Sequence, residues 1–493
     1  MQNQGIARQA VSGSTYSIIS SGITLVLGAT RSVLLARLLL PEYFGVVALA
    51  LVFTSFVANL RNIGLDLALI HRQDADQDFM RTYFSLRAGM DFLAAGLLLA
   101  AIPFLQKFYP QTPQLGQVLG ILVIAFLVSN MSQVQEYLLR KNLDFKSLAI
   151  TDVTASLVMT FIAPYLAWRG WGLWALVAEQ ISGVTARFLL TWGPFRQWRP
   201  SFGWDKNALD FLWSYGKKTW MATNLVYFLD RFDDFWIGTS LGDVFLGYYS
   251  KAFEFAHYPT RLIANQLIAV FAPVFARLQG DRMALSRAFY RSAHVILRTG
   301  ALAAGALALV LPEFIHYVIG DKWLPMLWTF RLMLVYAVLE PLLTLIKNLF
   351  FSTGQPQDVL KISTAQVLFF TPAVILGAAL GNINGVALAA DGMLVVGIWR
   401  AYLPTRRLVD FSPFRLGGRP FIALAVAMAA GISVEQVMIG QAWQVLLVKS
   451  AVYLFLYTGL MLAFERRDYL RAFRLLWAMI RPQAGERYEV SSQ

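Results

Sequence analysis

The sequence predicts an all-α polytopic membrane protein of about 14 transmembrane helices, two six-helix halves followed by an extra pair. Three observations predict it. The first is composition: 57% of the 493 residues are hydrophobic and only 14% charged, with a mean hydropathy of +0.55. A soluble chain of this length cannot hide that much apolar surface. The second is that apolar runs of roughly 20 residues, enough for one crossing, recur from end to end. The third is an internal repeat with a period of roughly 212 residues. Gly170-Trp171-Gly172-Leu173-Trp174-Ala175-Leu176-Val177-Ala178-Glu179 lines up with Asn382-Ile383-Asn384-Gly385-Val386-Ala387-Leu388-Ala389-Ala390-Asp391. Earlier in each half, Leu40-Pro41-Glu42-Tyr43-Phe44-Gly45 resembles Gly242-Asp243-Val244-Phe245-Leu246-Gly247. Paired halves of this kind are the mark of a carrier that rocks about a central site.

In order, the spans begin near Thr15, Glu42, Tyr83, Leu115, Leu148, Trp171, Leu212, Val244, His294, Leu324, Leu360, Ile383, Pro420 and Trp443. The first has no small-residue cleavage site after it and reads as a retained helix. The seventh and eighth are the most charged, and the tenth contains Arg331 and Glu340. Loop charge supports the order. With the N-terminus inside, the cytoplasmic loops hold His71, Arg72 and Arg81, then Arg140, Lys141 and Lys146, then Arg196, Arg199 and Lys206. After these come Arg277, Arg282, Arg287 and Arg291, and finally Arg406, Arg407 and Arg415. The opposite loops, such as 110–114 and 238–243, are short and nearly neutral. This alternation is what positive-inside insertion requires, and it puts both termini in the cytoplasm. The expected organisation is an N-lobe at 1–193, a linker at 194–211, a C-lobe at 212–405, an extra pair at 406–465 and a basic tail at 466–493. In the tail, Arg466, Arg467, Arg471 and Arg474 alternate with Leu470, Phe473, Leu476 and Met479, the pattern of an interfacial amphipathic helix.

Several chemistries are excluded. With no cysteine there is no disulfide and no thiolate ligand or nucleophile. No P-loop is present, so ATP is not bound that way. The four histidines, His71, His257, His294 and His316, are not at metal-ligand spacing. No nucleophile elbow appears. The net charge of +13 is explained by cytoplasmic loops beside anionic lipid rather than by nucleic acid. No cofactor, no metal and no enzymatic activity are expected.

Ionisable groups at bilayer depth are costly and are functional candidates. Lys251, Glu254, Tyr258, Arg261 and Asn265 recur every three or four residues, so they share a face of the eighth span, with His257 beside it. A polar stripe on a bundle helix looks onto a water-filled cavity; the plainer alternative is a local Lys251–Glu254 pair with Arg261 snorkelling. In the seventh span, Asp230, Asp233 and Asp234 flank Arg231. Three carboxylates this close need partners in lipid. Arg31 and Arg37 lie at similar depth in the first span, so we expect Arg31 to face Asp230 or Asp233 and close an external gate. The alternative is that the carboxylates sit at the water boundary with Arg231 as their neighbour. Glu179 and Asp391, at matched repeat positions, and Glu340 are the candidates for ion coupling, against a packing or capping role. Arg331 suits an anion or the interface. Arg61, Arg87 and Arg187 are explained first by topology. Trp168, Trp171, Trp192, Trp323 and Trp443 read as interfacial belts. Pro164, Pro259, Pro325, Pro341 and Pro372 are sites where helices can kink.

Leu40-Pro41-Glu42-Tyr43-Phe44-Gly45, followed by Ile63-Gly64-Leu65-Asp66-Leu67-Ala68-Leu69-Ile70, resembles the first two helices of Wzx-type oligosaccharide flippases, polysaccharide exporters of the multidrug/oligosaccharidyl-lipid/polysaccharide superfamily. The second half agrees, with Asp230-Arg231, Ile237-Gly238, Leu241-Gly242 and Leu246-Gly247-Tyr248-Tyr249-Ser250-Lys251-Ala252. The resemblance is closest to the colanic-acid and teichuronic-acid exporter branch and spans about Ala7 to Phe464. Glu42 departs mildly from the Asp more usual in that branch. The resemblance implies pseudo-symmetric lobes forming a V around a central cavity in the bacterial inner membrane. Its cargo would be a polyprenyl-pyrophosphate-linked glycan. Lys251 and Arg261, with Arg31, would meet the pyrophosphate, because cationic donors screen it from hydrocarbon. Coupling would be to membrane potential or to an H+ or Na+ gradient. Membrane lipids, a polysaccharide polymerase and chain-length machinery are the implied partners. The alternatives are a multidrug cation antiporter of the same superfamily, a membrane polysaccharide polymerase or ligase, and a scaffold without cargo. The cationic stripe disfavours the first, the short external loops the second, and the repeat and buried charges the third.

Overall fold

A computed structural model describes residues 2–61, 65, 69, 76–438 and 441–480. The described chain is helical throughout, with no strand among those residues. In chain order the helices are α1 (Gln2–Leu38), α2 (Pro41–Arg61), α3 (Gln77–Phe108), α4 (Leu115–Lys141), α5 (Phe145–Trp168), α6 (Leu173–Trp192) and α7 (Lys206–Ser240). Next comes α8 (Asp243–Ala256), a π-turn at Thr260–Ala264, α9 (Asn265–Arg277) and α10 (Arg282–Glu313). A second π-turn (Phe314–Ile319) and a 3-10 turn (Asp321–Met326) lead into α11 (Leu327–Ser352), α12 (Pro356–Leu408), α13 (Pro413–Val437) and α14 (Ala442–Ile480).

Among the described residues, 11 helices are long and apolar enough to cross a membrane. One of them, α12, is two segments joined at Asn382, whose φ of 55° and ψ of −145° break the helix. The charged α7, and α8 and α9, of 14 and 13 residues and so each short of a crossing, stand where the seventh and eighth spans are expected. Together these make the expected 14. The expected starts match to within a few residues, except that α1, α3, α7, α10 and α13 begin earlier, at Gln2, Gln77, Lys206, Arg282 and Pro413. The loop carrying His71 and Arg72, and most of the Ile63–Ile70 motif, lie outside the described residues. The side chains of the expected amphipathic tail also lie outside them, although its backbone is helical to Ile480.

Local chemistry explains the boundaries. Asp76, Asp144 and Asp205 each accept a backbone N–H three residues on and so cap α3, α5 and α7. Gly172 (φ 53°) precedes α6 and Gly242 (φ 96°) precedes α8, a conformation that suits glycine. Pro259 and the following π-turn end the register of α8. A π-turn inserts one residue into the helical repeat and swings everything after it to another face.

Two compact units are present. The first comprises Met1–Leu262, Pro312–Tyr336 and Pro356–Ala401. In it α1 packs on α5, α5 on α6, and α2 on α8. The α2–α8 crossing brings backbone onto backbone. A Cβ on Gly45 would run into the Asp243 carbonyl, and a Cβ on Gly247 into the Pro41 carbonyl. These are matched positions of the repeat, so the two copies of the motif meet one another reciprocally. Without a hydrophobic drive between helices in lipid, such close approach supplies van der Waals contact that larger residues prevent.

The second unit comprises Ile263–Leu311, Ala337–Gln355 and Tyr402–Gln493. Its core is Ala301, Leu309, Ala423, Ala427, Tyr453, Tyr457 and Met461. There Arg298 is buried against Glu465, which also accepts from Arg419 at 3.1 Å. Glu465 (φ −150°, ψ 45°) is where α14 breaks.

Trp323 is not a belt residue. It is fully buried, its Nε1 donates to the Ala36 carbonyl at 2.8 Å, and its ring meets Phe44 and Tyr248 edge-on. The reason is the strap 314–326. Arg37 donates to the Tyr317 and Val318 carbonyls, and Lys322 donates to the Arg37 carbonyl, each at 2.8 Å, tying the strap to the end of α1.

Candidate functional site

One gathering of polar groups in the first unit is contributed by α1, α5, α6 and α8. Lys251, on α8 and almost fully buried, donates to Ser32 Oγ at 2.9 Å and to Glu254 Oε2 at 2.6 Å. Its ammonium also lies 4.4 Å from the Phe44 ring centroid. Tyr258 donates to Glu254 Oε1 at 3.0 Å, and the Ser32 hydroxyl bonds Glu254 as well. Arg31, one residue from Ser32, donates through Nε to Glu179 Oε1 at 2.7 Å and through Nη1 to Thr160 at 3.4 Å. The charges of Lys251 and Glu254 reach Glu179 too, so the two pairs form one cluster. Arg31 and Glu179 are only 14% and 15% exposed, which makes their mutual satisfaction obligatory rather than incidental.

This arrangement has two cations and two carboxylates, with three hydroxyl groups, those of Ser32, Thr160 and Tyr258, among them. At this depth neither sign can stand alone. An entering anion could replace the carboxylates as partner of Arg31 and Lys251, whose donors suit phosphate oxygens.

The expected residues fall into three groups. Lys251, Glu254, Tyr258 and Arg31 are together. Arg261 is exposed and forms no side-chain ion pair among the described residues. Asn265 follows the π-turn and belongs to the second unit, so the expected single face ends before it. The expected gate pairing of Arg31 with Asp230 or Asp233 is not formed. Packing of α1 on α5 aims Arg31 at Glu179. Asp233 instead accepts from Tyr249 at 2.6 Å, and Asp234 pairs with Arg231 at 3.1 Å.

The coupling candidates are dispersed. Glu179 holds Arg31. Glu340, in the second unit, accepts from Thr344 at 2.6 Å. Asp391 has a buried Oδ1 with no hydrogen-bond partner. Glu179 and Asp391 are also not equivalent in the helix. Gly172 (φ 53°, ψ −125°) and Asn382 (φ 55°, ψ −145°) are the turn residues that share a conformation. Glu179 lies seven residues after the first and Asp391 nine after the second. Two residues are about 200° of helical rotation, so the carboxylates point different ways.

A second polar network gathers Arg61 and Arg87, arginines that topology explains first. Arg61 pairs with Asp91 at 2.9 Å, and Asn130 donates to Asp91 and accepts from Arg61, each at 3.0 Å. Arg87, buried, donates to Tyr83 at 2.9 Å and Gln133 at 2.8 Å. The signal available in the sequence was Arg87 four residues before Asp91 inside an apolar span, a same-face pair that position near a helix end does not explain. Among the described residues no three His, Asp or Glu side chains come close enough together to hold a metal ion.

A family model described as polysaccharide biosynthesis protein matches residues 34–327. The chain is 24% identical over 387 residues to the teichuronic acid biosynthesis protein TuaB of Bacillus subtilis (strain 168), covering 78% of this chain and 79% of that one. It is 21% identical over 397 residues to the lipopolysaccharide biosynthesis protein WzxC of Escherichia coli (strain K12), covering 80% and 79%. It is 26% identical over 417 residues to the succinoglycan biosynthesis transport protein ExoT of Rhizobium meliloti (strain 1021), covering 83% and 80%. Among solved structures, the lipid II flippase MurJ in its inward closed conformation superposes with a TM-score of 0.73 at 14% identity, over 94% of this chain and 100% of that one. An inward-facing multidrug-resistance MATE transporter of the MOP superfamily superposes with a TM-score of 0.63 at 14% identity, over 78% and 95%. The fold is that of this superfamily of polytopic membrane transporters.

Proposed function

The chain belongs to the polysaccharide biosynthesis protein family, and from that premise we propose that it is a flippase for a polyprenyl-pyrophosphate-linked oligosaccharide. It would move the repeat unit of a polysaccharide from the cytoplasmic to the outer leaflet of the bacterial inner membrane, by alternating access and without ATP hydrolysis. It is a transport protein rather than an enzyme. One of its relatives is named a transport protein, and the lipid II flippase shares the fold.

The observation that carries the proposal is the buried cluster of Arg31, Lys251, Glu179 and Glu254. In the unloaded state the carboxylates neutralise the two cations. The pyrophosphate of the cargo takes their place, with Arg31 offering a planar fork and Lys251 a point charge. Release restores the internal pairs and with them the electrical balance of the empty state. Asp391, with its buried unpartnered Oδ1, is the coupling carboxylate of the proposal, responding to an H+ or Na+ gradient. A multidrug cation antiporter has the same fold, but two buried cations at the centre of the cluster favour anionic cargo.

The test is a flipping assay in proteoliposomes with lipid-linked oligosaccharide. Wild-type protein is expected to flip above empty vesicles, and Lys251→Ala and Arg31→Ala to lose roughly tenfold or more, the scale of one charge-assisted hydrogen bond lost from a buried site. No flipping by wild-type protein with any such cargo would sink the function. Wild-type rates in both variants would sink the site and leave the function standing.

A further inference from the structure

In the second unit, a cavity of about 670 Å³ opens between the first turns of α10 and the segment 410–415. Its charged lining is four arginines, Arg282, Arg287, Arg291 and Arg415, against one aspartate, Asp410. Nothing in the proposed transport cycle uses it.

The pocket is built rather than incidental. The Asp410 N–H donates to Ser286 Oγ at 3.0 Å, and the Ser412 N–H donates to the Tyr290 hydroxyl at 3.1 Å. Arg282 donates to the Arg406 carbonyl at 3.0 Å. Phe411, buried, packs edge-on against Phe289. These contacts fix the 410–415 segment against α10. Arg415 has the one carboxylate, Asp410, at 3.7 Å. Arg287 and Arg291 form no ion pair among the described residues. They lie one turn apart on a single helical face, where like charges repel unless an external anion joins them.

The surroundings say what kind of anion. Beyond these first turns α10 runs without a charge from Gly300 to Leu311, the composition of a lipid-crossing segment. The pocket therefore lies where a membrane helix leaves the hydrocarbon, the depth of lipid phosphates. Beside it Met283 is 71% exposed and Phe414 88% exposed, two large apolar side chains that water would not favour.

We propose that this pocket binds the phosphate of an anionic membrane-lipid headgroup, with Arg287 and Arg291 as its donors. The site is separate from the buried Arg31–Lys251 cluster and does not depend on what the protein transports.

The test is native mass spectrometry of the full chain in detergent, titrated with phosphatidylglycerol, phosphatidylcholine or inorganic pyrophosphate. Wild-type protein is expected to retain phosphatidylglycerol over phosphatidylcholine. Arg287→Gln with Arg291→Gln should weaken that retention roughly tenfold or more, since each arginine near an anionic headgroup is worth about a factor of five. Each single variant should give an intermediate loss. Arg196→Gln with Arg199→Gln, in another basic loop, should leave it unchanged. The arginines are exposed, so an unaltered melting temperature is expected and checks that the variants fold. Undiminished phosphatidylglycerol retention by the double variant overturns the proposal, as does equal retention of the two lipids by wild-type protein. If inorganic pyrophosphate binds in place of phosphatidylglycerol and is lost in the same variant, the pocket serves a soluble anion and the lipid assignment fails.

Discussion

Arginine at position 31 is held by two geometries at once: Nε on Glu179 and Nη1 on Thr160. Removing it leaves Glu179 buried without its partner, which costs on the order of 3–5 kcal/mol for a buried pair. Arg31→Ala and Glu179→Ala should therefore each lower the melting temperature more than the double variant does, measured by thermal unfolding in detergent. Additive losses in the double variant would show that the two residues do not share an interaction. Arg31→Lys should not restore transport, because an ammonium cannot span both partners in the same plane. Asp391→Asn should leave the melting temperature near wild type, or raise it, because a buried carboxylate oxygen without a partner is costly. The same variant should make flipping insensitive to an imposed H+ or Na+ gradient, read by comparing rates with and without the gradient. At this scale the sequence showed that Lys251 and Glu254 belong together, because a three-residue spacing on a helix is local knowledge. It did not show that Arg31 would choose Glu179 over Asp233, because that choice depends on which helices pack beside α1.

Helices α2 and α8 cross where each has a glycine against the other's carbonyl. Gly45→Ala and Gly247→Ala must push the backbones apart, and each should reduce the yield of folded protein and its melting temperature by several degrees. Gly89, with nothing within 4 Å of an added Cβ, is the control. Gly89→Ala should be neutral or slightly stabilising, alanine being the better helix former by about 1 kcal/mol. The break in α14 gives a second test. Glu465 sits between Arg298 and Arg419 and is 4% exposed. Glu465→Ala should destabilise by roughly 3–5 kcal/mol, and more than Arg419→Ala, because Arg419 is 60% exposed. Both are read from thermal unfolding. The spans were legible in the sequence because apolar run length is a local signal. The π-turn at Thr260–Ala264 was not, and it is what removes Asn265 from the stripe that begins at Lys251.

For the whole molecule, the 14 spans and their order were readable because lipid demands long apolar helices and leaves few alternatives. The ion-pair partners were less readable, since they depend on packing between distant segments. The alternation of basic loops predicts sidedness, and the absence of cysteine makes it easy to check. Single cysteines placed at Gln111 and Ser240 should react with a membrane-impermeant maleimide added to intact cells. Those at Arg196 and Gly280 should react only after permeabilisation. The opposite pattern would invert the topology and with it the direction of transport. The α2–α8 crossing has one more consequence. A patch that meets its own duplicate, position for matched position, is what a two-fold dimer makes. The monomer thus carries within one chain the self-complementary interface of a homodimer of half-length chains. Gly45 and Gly247 act as the same residue seen from the two sides of that axis, so an insertion that shifts either motif by one position would break both contacts at once.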